Sequence, residues 1–114
     1  KDIERRAMNA RLATARSGLA SNYLAQEKPD LAAVEYRKML ANTPSDLEAR
    51  AGLGRALFLQ KDLAGAEAAY REVVKSSPKN ANALNDLGVV LEARKDRKGA
   101  LEAYAKALEI EPTH

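Results

Sequence analysis

His114 is the only histidine in this 114-residue chain, and cysteine is absent. With no second imidazole and no thiolate, the sequence supplies neither a zinc-type ligand set nor a His-based nucleophilic triad, and it has no disulfide framework. His114 itself, as the last residue, reads as a frayed end or tag remnant. Carboxylates are plentiful, but their spacing sets up no pair in an apolar setting of the kind that raises a pKa for acid–base work. Asp62 and Asp96 read as helix caps, and Glu67, Glu72, Glu102 and Glu109 as solvated helix faces. Gly52-Leu53-Gly54 lacks the third glycine of a phosphate-cradling GxGxxG, because position 57 is Leu, and no strand precedes it. No catalytic residue, cofactor site or metal site is expected.

Tyr36, Tyr70 and Tyr104 could in principle stack nucleic-acid bases, but they stand 34 residues apart, and other residue types share that period. Proline falls at 44, 78 and 112, alanine at 32, 66 and 100, and leucine at 19, 53 and 87. A shared period of this length is the signature of a repeat architecture, and the family resemblance that these repeats carry implies that the tyrosines are packing positions first. Charge argues in the same direction. The net charge of +3 sits in residues 1–16, with five basic side chains against two acidic ones, and the remaining residues balance at 14 of each. On a helix Arg5 and Arg16 lie together while Arg6 and Arg11 point elsewhere, so no focused basic stripe is formed and nucleic-acid binding is not expected.

The elements that must carry these positions are helices. Hydrophobic residues make up 46% of the chain but aromatics only 4%, so the apolar content is Ala and Leu, which suit helices better than strands. Met8, Leu12, Ala15 and Leu19 fall on one helical stripe, which predicts a long first helix from about Asp2 to about Gln26. Pro29 suits the first position of a second helix, over about 29–42. Ser45 and Glu48 have capping-box spacing for a third, about 46–60. Asp62, Asn80 and Asp96 cap three more, ending near 76, 94 and 110, and Pro44, Pro78 and Pro112 close the pairs. No apolar run is long enough to span a membrane. The chain begins with Lys, not Met, and reads as an excised fragment; the lack of cysteine fits a cytoplasmic and a periplasmic or envelope-associated setting equally.

The pattern resembles the tetratricopeptide repeat, a 34-residue helix–turn–helix unit, over residues 13–114. The residues carrying the resemblance are Leu19-Ala20, Leu53-Gly54 and Leu87-Gly88 at the seventh and eighth positions and Tyr23, Leu57 and Leu91 at the eleventh. Ala32, Ala66 and Ala100 fill the twentieth, and Tyr36, Tyr70 and Tyr104 the twenty-fourth. The fourth position, often Trp in the family, is Arg16, Arg50 and Leu84, and the small twenty-seventh is met by Ala107 but not by Met39. The resemblance implies an all-α fold: one domain over residues 1–114, an α-α superhelix (solenoid) of three repeats, 13–46, 47–80 and 81–114, behind a helical extension at 1–12.

The resemblance also implies a non-catalytic scaffold that binds a peptide or helix of another protein in a concave groove. The groove positions carried over are Thr14, Ser17, Ser21, Leu24 and Ala25; Glu48, Ala51, Arg55, Phe58 and Leu59; and Asn82, Asn85, Val89, Glu92 and Ala93. Of these, Ser17, Ser21, Leu24, Arg55, Phe58, Leu59, Asn82, Asn85, Val89 and Glu92 form the candidate partner-binding set. The carboxylate clamp of chaperone-binding members needs Lys, Asn and Arg where Ser17, Ser21, Gly52, Asn82 and Asp86 stand, so a chaperone tail is not expected. The asparagine ladder of glycosyltransferase superhelices is missing as well, at Gly18, Gly52 and Asp86. Two alternatives stay open. One is self-association, as a homodimer, through an uncovered last helix near Leu101, Ala105 and Leu108. The other is a regulatory or targeting arm of a larger enzyme. The Ala- and Arg-rich repeats look most like bacterial members, some of which assemble pili, secretion machines and other envelope structures.

Overall fold

The computed structural model describes residues 1–111; Pro112 and His114, both used in the sequence reading, lie outside the described residues. Six helices follow one another: α1 (Asp2–Ala25), α2 (Pro29–Asn42), α3 (Leu47–Leu59), α4 (Leu63–Ser76), α5 (Ala81–Ala93) and α6 (Arg97–Ile110). No strand occurs among the described residues. Each helix packs mainly on its neighbours in sequence, giving three antiparallel pairs stacked along an elongated body of 50 × 27 × 22 Å. The result is an all-α superhelix, and the helix bounds match the sequence expectation to within a residue or two.

The helix starts have local causes. Asp46, Asp62, Asn80 and Asp96 each accept a hydrogen bond from the backbone N–H three residues on, at 3.0, 2.9, 3.0 and 3.0 Å. Each bond satisfies one donor that the first turn cannot pair internally. The expected Ser45–Glu48 capping box is not what forms. The third helix begins at Leu47, so the capping residue is Asp46, and Glu48 is one position short of where the box needs it. The turns inside each pair share a feature the sequence reading did not foresee. Glu27, Lys61 and Lys95 adopt left-handed φ values of 59°, 66° and 67°. Around Lys61, the Asp62 N–H reaches back to Leu57 O and the Lys61 N–H to Phe58 O, and the same pair of bonds recurs at the other two turns. This is a Schellman motif, with a charged residue at the position glycine usually takes.

The core is thin and built on small residues. Ala20, Ala32, Ala33, Ala49 and Ala56 meet Tyr36, Met39 and Leu40 where α1, α2 and α3 join. Farther along, Leu57, Ala66, Tyr70, Leu87, Val90, Leu91 and Ala100 join α3 to α6, and Leu53 touches both groups. Alanine at the contact lets helix axes approach closely, and the large residues around it interlock with the next pair. Charged residues fill places where the family pattern has bulk. Arg16 donates to Glu35 at 3.3 Å, with Lys38 on the other carboxylate oxygen at 3.6 Å. Glu67 is not a solvated face residue as expected: it is partly buried and takes Arg71 at 2.7 Å and Arg94 at 2.9 Å, tying α4 to the end of α5.

Candidate functional site

The first helices of the three pairs, α1, α3 and α5, line an open central cleft. Its larger lobe, about 580 Å³, is bounded by Ser21, Leu24, Ala25 and Glu27 from the first pair, with Tyr36 behind them. Ala51, Gly52, Arg55 and Leu59 of α3 form its floor, and Tyr70 and Asp86 close it. A smaller lobe of about 340 Å³ continues past Arg55, Leu59, Tyr70 and Asp86 to Phe58, Val89 and Val90. These four shared residues form the waist of one continuous cleft.

Local packing explains the shape. The Tyr36 ring lies directly against the backbone of Gly52, so close that a Cβ there would overlap it. Tyr70 packs in the same way on Gly54, 3.1 Å from where a Cβ would stand. Both tyrosines are buried, as their packing role requires. Yet neither hydroxyl makes a hydrogen bond among the described residues and neither is sealed from solvent, so the two hydroxyls open into the cleft. Beyond the core position expected of the tyrosines, a ring buried from one end presents its polar end to the groove, which repeat spacing does not reveal.

Asp86 is the other residue the candidate set lacked. Its carboxyl is half-buried, and burial holds it above the usual carboxylate range, an effect partly offset by the nearby Arg55 guanidinium. Burial first, and then the Asp86 charge, also push the Tyr70 hydroxyl upward. Arg55 and Asp86 sense each other without pairing: the ion pairs among the described residues include neither. The waist therefore holds an unpaired cation, an unpaired anion and the Tyr70 phenol, with the Tyr36 phenol in the larger lobe beside it. A signal for Asp86 was present in the sequence, since it replaces the Gly of Gly18 and Gly52 at the same repeat position.

The candidate set divides. Ser21, Leu24, Arg55, Phe58, Leu59 and Val89 line the central cleft. Asn82, Asn85 and Glu92 instead line a separate cleft of about 500 Å³ between α5 and α6, with Tyr104, Ala107, Leu108 and Glu111. There the Tyr104 hydroxyl donates to Glu92 Oε1 at 2.9 Å, so that carboxylate is engaged within the protein. Ser17, partly buried on α1, lines neither. No group of three or more His, Cys, Asp or Glu among the described residues could hold a metal ion, and no helix among them is long and apolar enough to cross a membrane.

Comparison with known proteins agrees with this fold. The tetratricopeptide repeat family profile matches residues 17–81 and 64–114. No curated protein matches by sequence. Among solved structures, MamA superposes with a TM-score of 0.83 at 25% identity, covering 88% of this chain and 58% of that one. YrrB, described as a TPR protein with an unusual peptide-binding site, gives a TM-score of 0.83 at 27% identity over 90% of this chain and 53% of its own. The first TPR domain of human RPAP3 gives 0.84 at 24% identity, covering 90% and 81%, a likeness of fold alone. The chain thus spans little more than half the length of the MamA and YrrB structures.

Proposed function

The chain belongs to the tetratricopeptide repeat family, and we propose that it is a non-catalytic interaction module that holds a peptide or helix of a partner protein along its concave face. The observation that carries this reading is the continuous central cleft, open to solvent and contributed by all three first helices, with unpaired polar groups at its waist. Such a surface offers both hydrogen-bonding and apolar contacts to an extended segment. The peptide-binding site named for YrrB, a structure of the same shape, supports the reading. Affinity for a short peptide of about micromolar, roughly −8 kcal/mol, suits a groove of this kind. The division into an extension at 1–12 and repeats 13–46, 47–80 and 81–114 is part of the proposal, supported by the three helix pairs.

The test is capture of partners from extract of the source cells by the chain and by two cleft-blocking variants, Val89→Arg and Ala51→Arg. Partners that bind in the cleft are lost with both variants and kept with an outer-face control, Arg97→Ala. Partners retained by all of them would place binding elsewhere. The bacterial envelope or pilus setting rests on the resemblance of these Ala- and Arg-rich repeats to bacterial members of the family and is tested by whether the captured partners belong to such an assembly.

Self-association is a second reading with its own observation. Leu101 and Leu108 on α6 are 68% and 57% exposed, Leu108 at the edge of the α5–α6 cleft, and Ala105 lies exposed between them. An apolar strip of this kind favours association. Light scattering over a range of concentrations decides it. A mass that stays at the monomer value removes this reading.

A further inference from the structure

The chain carries a net charge of +3, but the central cleft and the cleft between α5 and α6 have the opposite balance. Glu27 and Asp86 line the central cleft against Arg55 alone. The second cleft adds Glu92 and Glu111 with no basic side chain. The excess of Lys and Arg lies off both clefts, and much of it falls in residues 1–16. Across the waist, Asp86 receives no hydrogen bond among the described residues, and Arg55 stays beyond ion-pairing reach. A half-buried carboxylate without a donor is poorly solvated by its own fold, and a cation arriving from outside restores what burial removed. Phe58, Leu59 and Val89 form an apolar wall beside it.

We infer that the central cleft selects a partner segment carrying a lysine or arginine, whose charged group pairs with Asp86 at the waist while an adjoining apolar side chain packs on Phe58, Leu59 and Val89. This rests on the groove reading above and adds the chemistry of its ligand. Arg55, at the same waist, is left to meet a backbone carbonyl of the bound segment, and the Tyr36 and Tyr70 hydroxyls supply further polar contacts. An acidic segment meets Glu27 and Asp86 as like charges and has only Arg55 to offset them. A nucleic-acid strand is disfavoured for the same reason.

A library of random dodecapeptides displayed on phage, panned on the immobilised chain, tests this. The expected result is enrichment of Lys or Arg beside an apolar residue, with binding abolished by Val89→Arg. Replacing the basic residue of a selected, synthesised peptide by norleucine should weaken binding about tenfold, as should Asp86→Asn in the protein, checked for folding by circular dichroism. Peptides enriched in Asp, Glu or a free carboxyl terminus overturn the inference and leave the groove reading standing. So does a norleucine peptide that binds within about twofold of its parent, a result that does not depend on the variant's folding. Recovery of no peptide sensitive to Val89→Arg overturns the groove reading itself, and this inference with it.

Discussion

Helices α1 and α5 occupy the same place in their respective pairs, and they are buried very differently. Ala20 alone is buried in α1, whereas Ala83, Leu84, Leu87, Gly88, Val90 and Leu91 are buried in α5. Leu19 and Leu87 hold the same repeat position, at 43% and 5% exposure. The stripe that defines α1 in the sequence, Met8, Leu12 and Leu19, is largely exposed, because no helix among the described residues lies over it as α4 lies over α5. Capping follows the same divide. The helices from α3 onward have Asp or Asn caps, while α1 and α2 start at Lys1 and Lys28 without a side-chain bond. In a stacked array the same residue gains its stabilising value from the neighbour it meets, not from its own type.

Paired substitutions break or sharpen this comparison. Leu87→Ala should lower stability by about 2–4 kcal/mol by opening a cavity, while Leu19→Ala should lower it by less than ~1 kcal/mol. Urea denaturation of both variants checks this, and equal losses would mean that α1 is covered in solution. Gly52 and Gly18 also share a repeat position. Gly52→Ala drives a methyl into the Tyr36 ring and should destabilise by about 1–3 kcal/mol, whereas Gly18→Ala meets nothing within 4 Å. There the better helix former should add about 0.5–1 kcal/mol. Thermal melts that shift the same way for both would contradict the packing described.

Smaller effects come from the caps and turns. Asp96→Ala removes the bond to the Gly99 N–H and should cost about 1 kcal/mol, and Lys28→Asp, supplying α2 with the cap it lacks, should gain several tenths. Lys95→Gly relieves a left-handed φ and should be stabilising by up to ~1 kcal/mol, with a matching gain at Lys61 and Glu27 because the turn recurs unchanged. For Asp86→Asn the direction alone is expected: a higher melting temperature near neutral pH. Its folded-state pKa is raised, so the ionised carboxylate opposes folding above that pKa, and the opposition fades as pH falls through it. The difference between Asp86→Asn and the parent should therefore shrink in acid, and a constant difference across pH would remove the electrostatic cause.

Much of the fold was legible because it is written locally. The 34-residue period, the cap residues and the prolines each act within a few positions, so helix bounds and pairing could be read along the chain. Where the reading missed, a competing local choice or a distant partner decided: Asp46 displaced Ser45 as cap, and Glu67 found Arg94 across to the next pair. The candidate groove was legible only as positions. Six of its ten residues came together at the central cleft, while Asn82, Asn85 and Glu92 went to the cleft beside α6.

The sequence by itself determined six helices, their order and the small residues that let them approach, because helix propensity, capping and periodicity are short-range properties. Only the tertiary structure decided which equivalent leucines are buried, that the Tyr36 and Tyr70 hydroxyls open into the cleft, and that Asp86 and Arg55 face the same space unpaired. Those features depend on the stacking of one pair on the next, where residues more than thirty positions apart are brought within a side chain's reach.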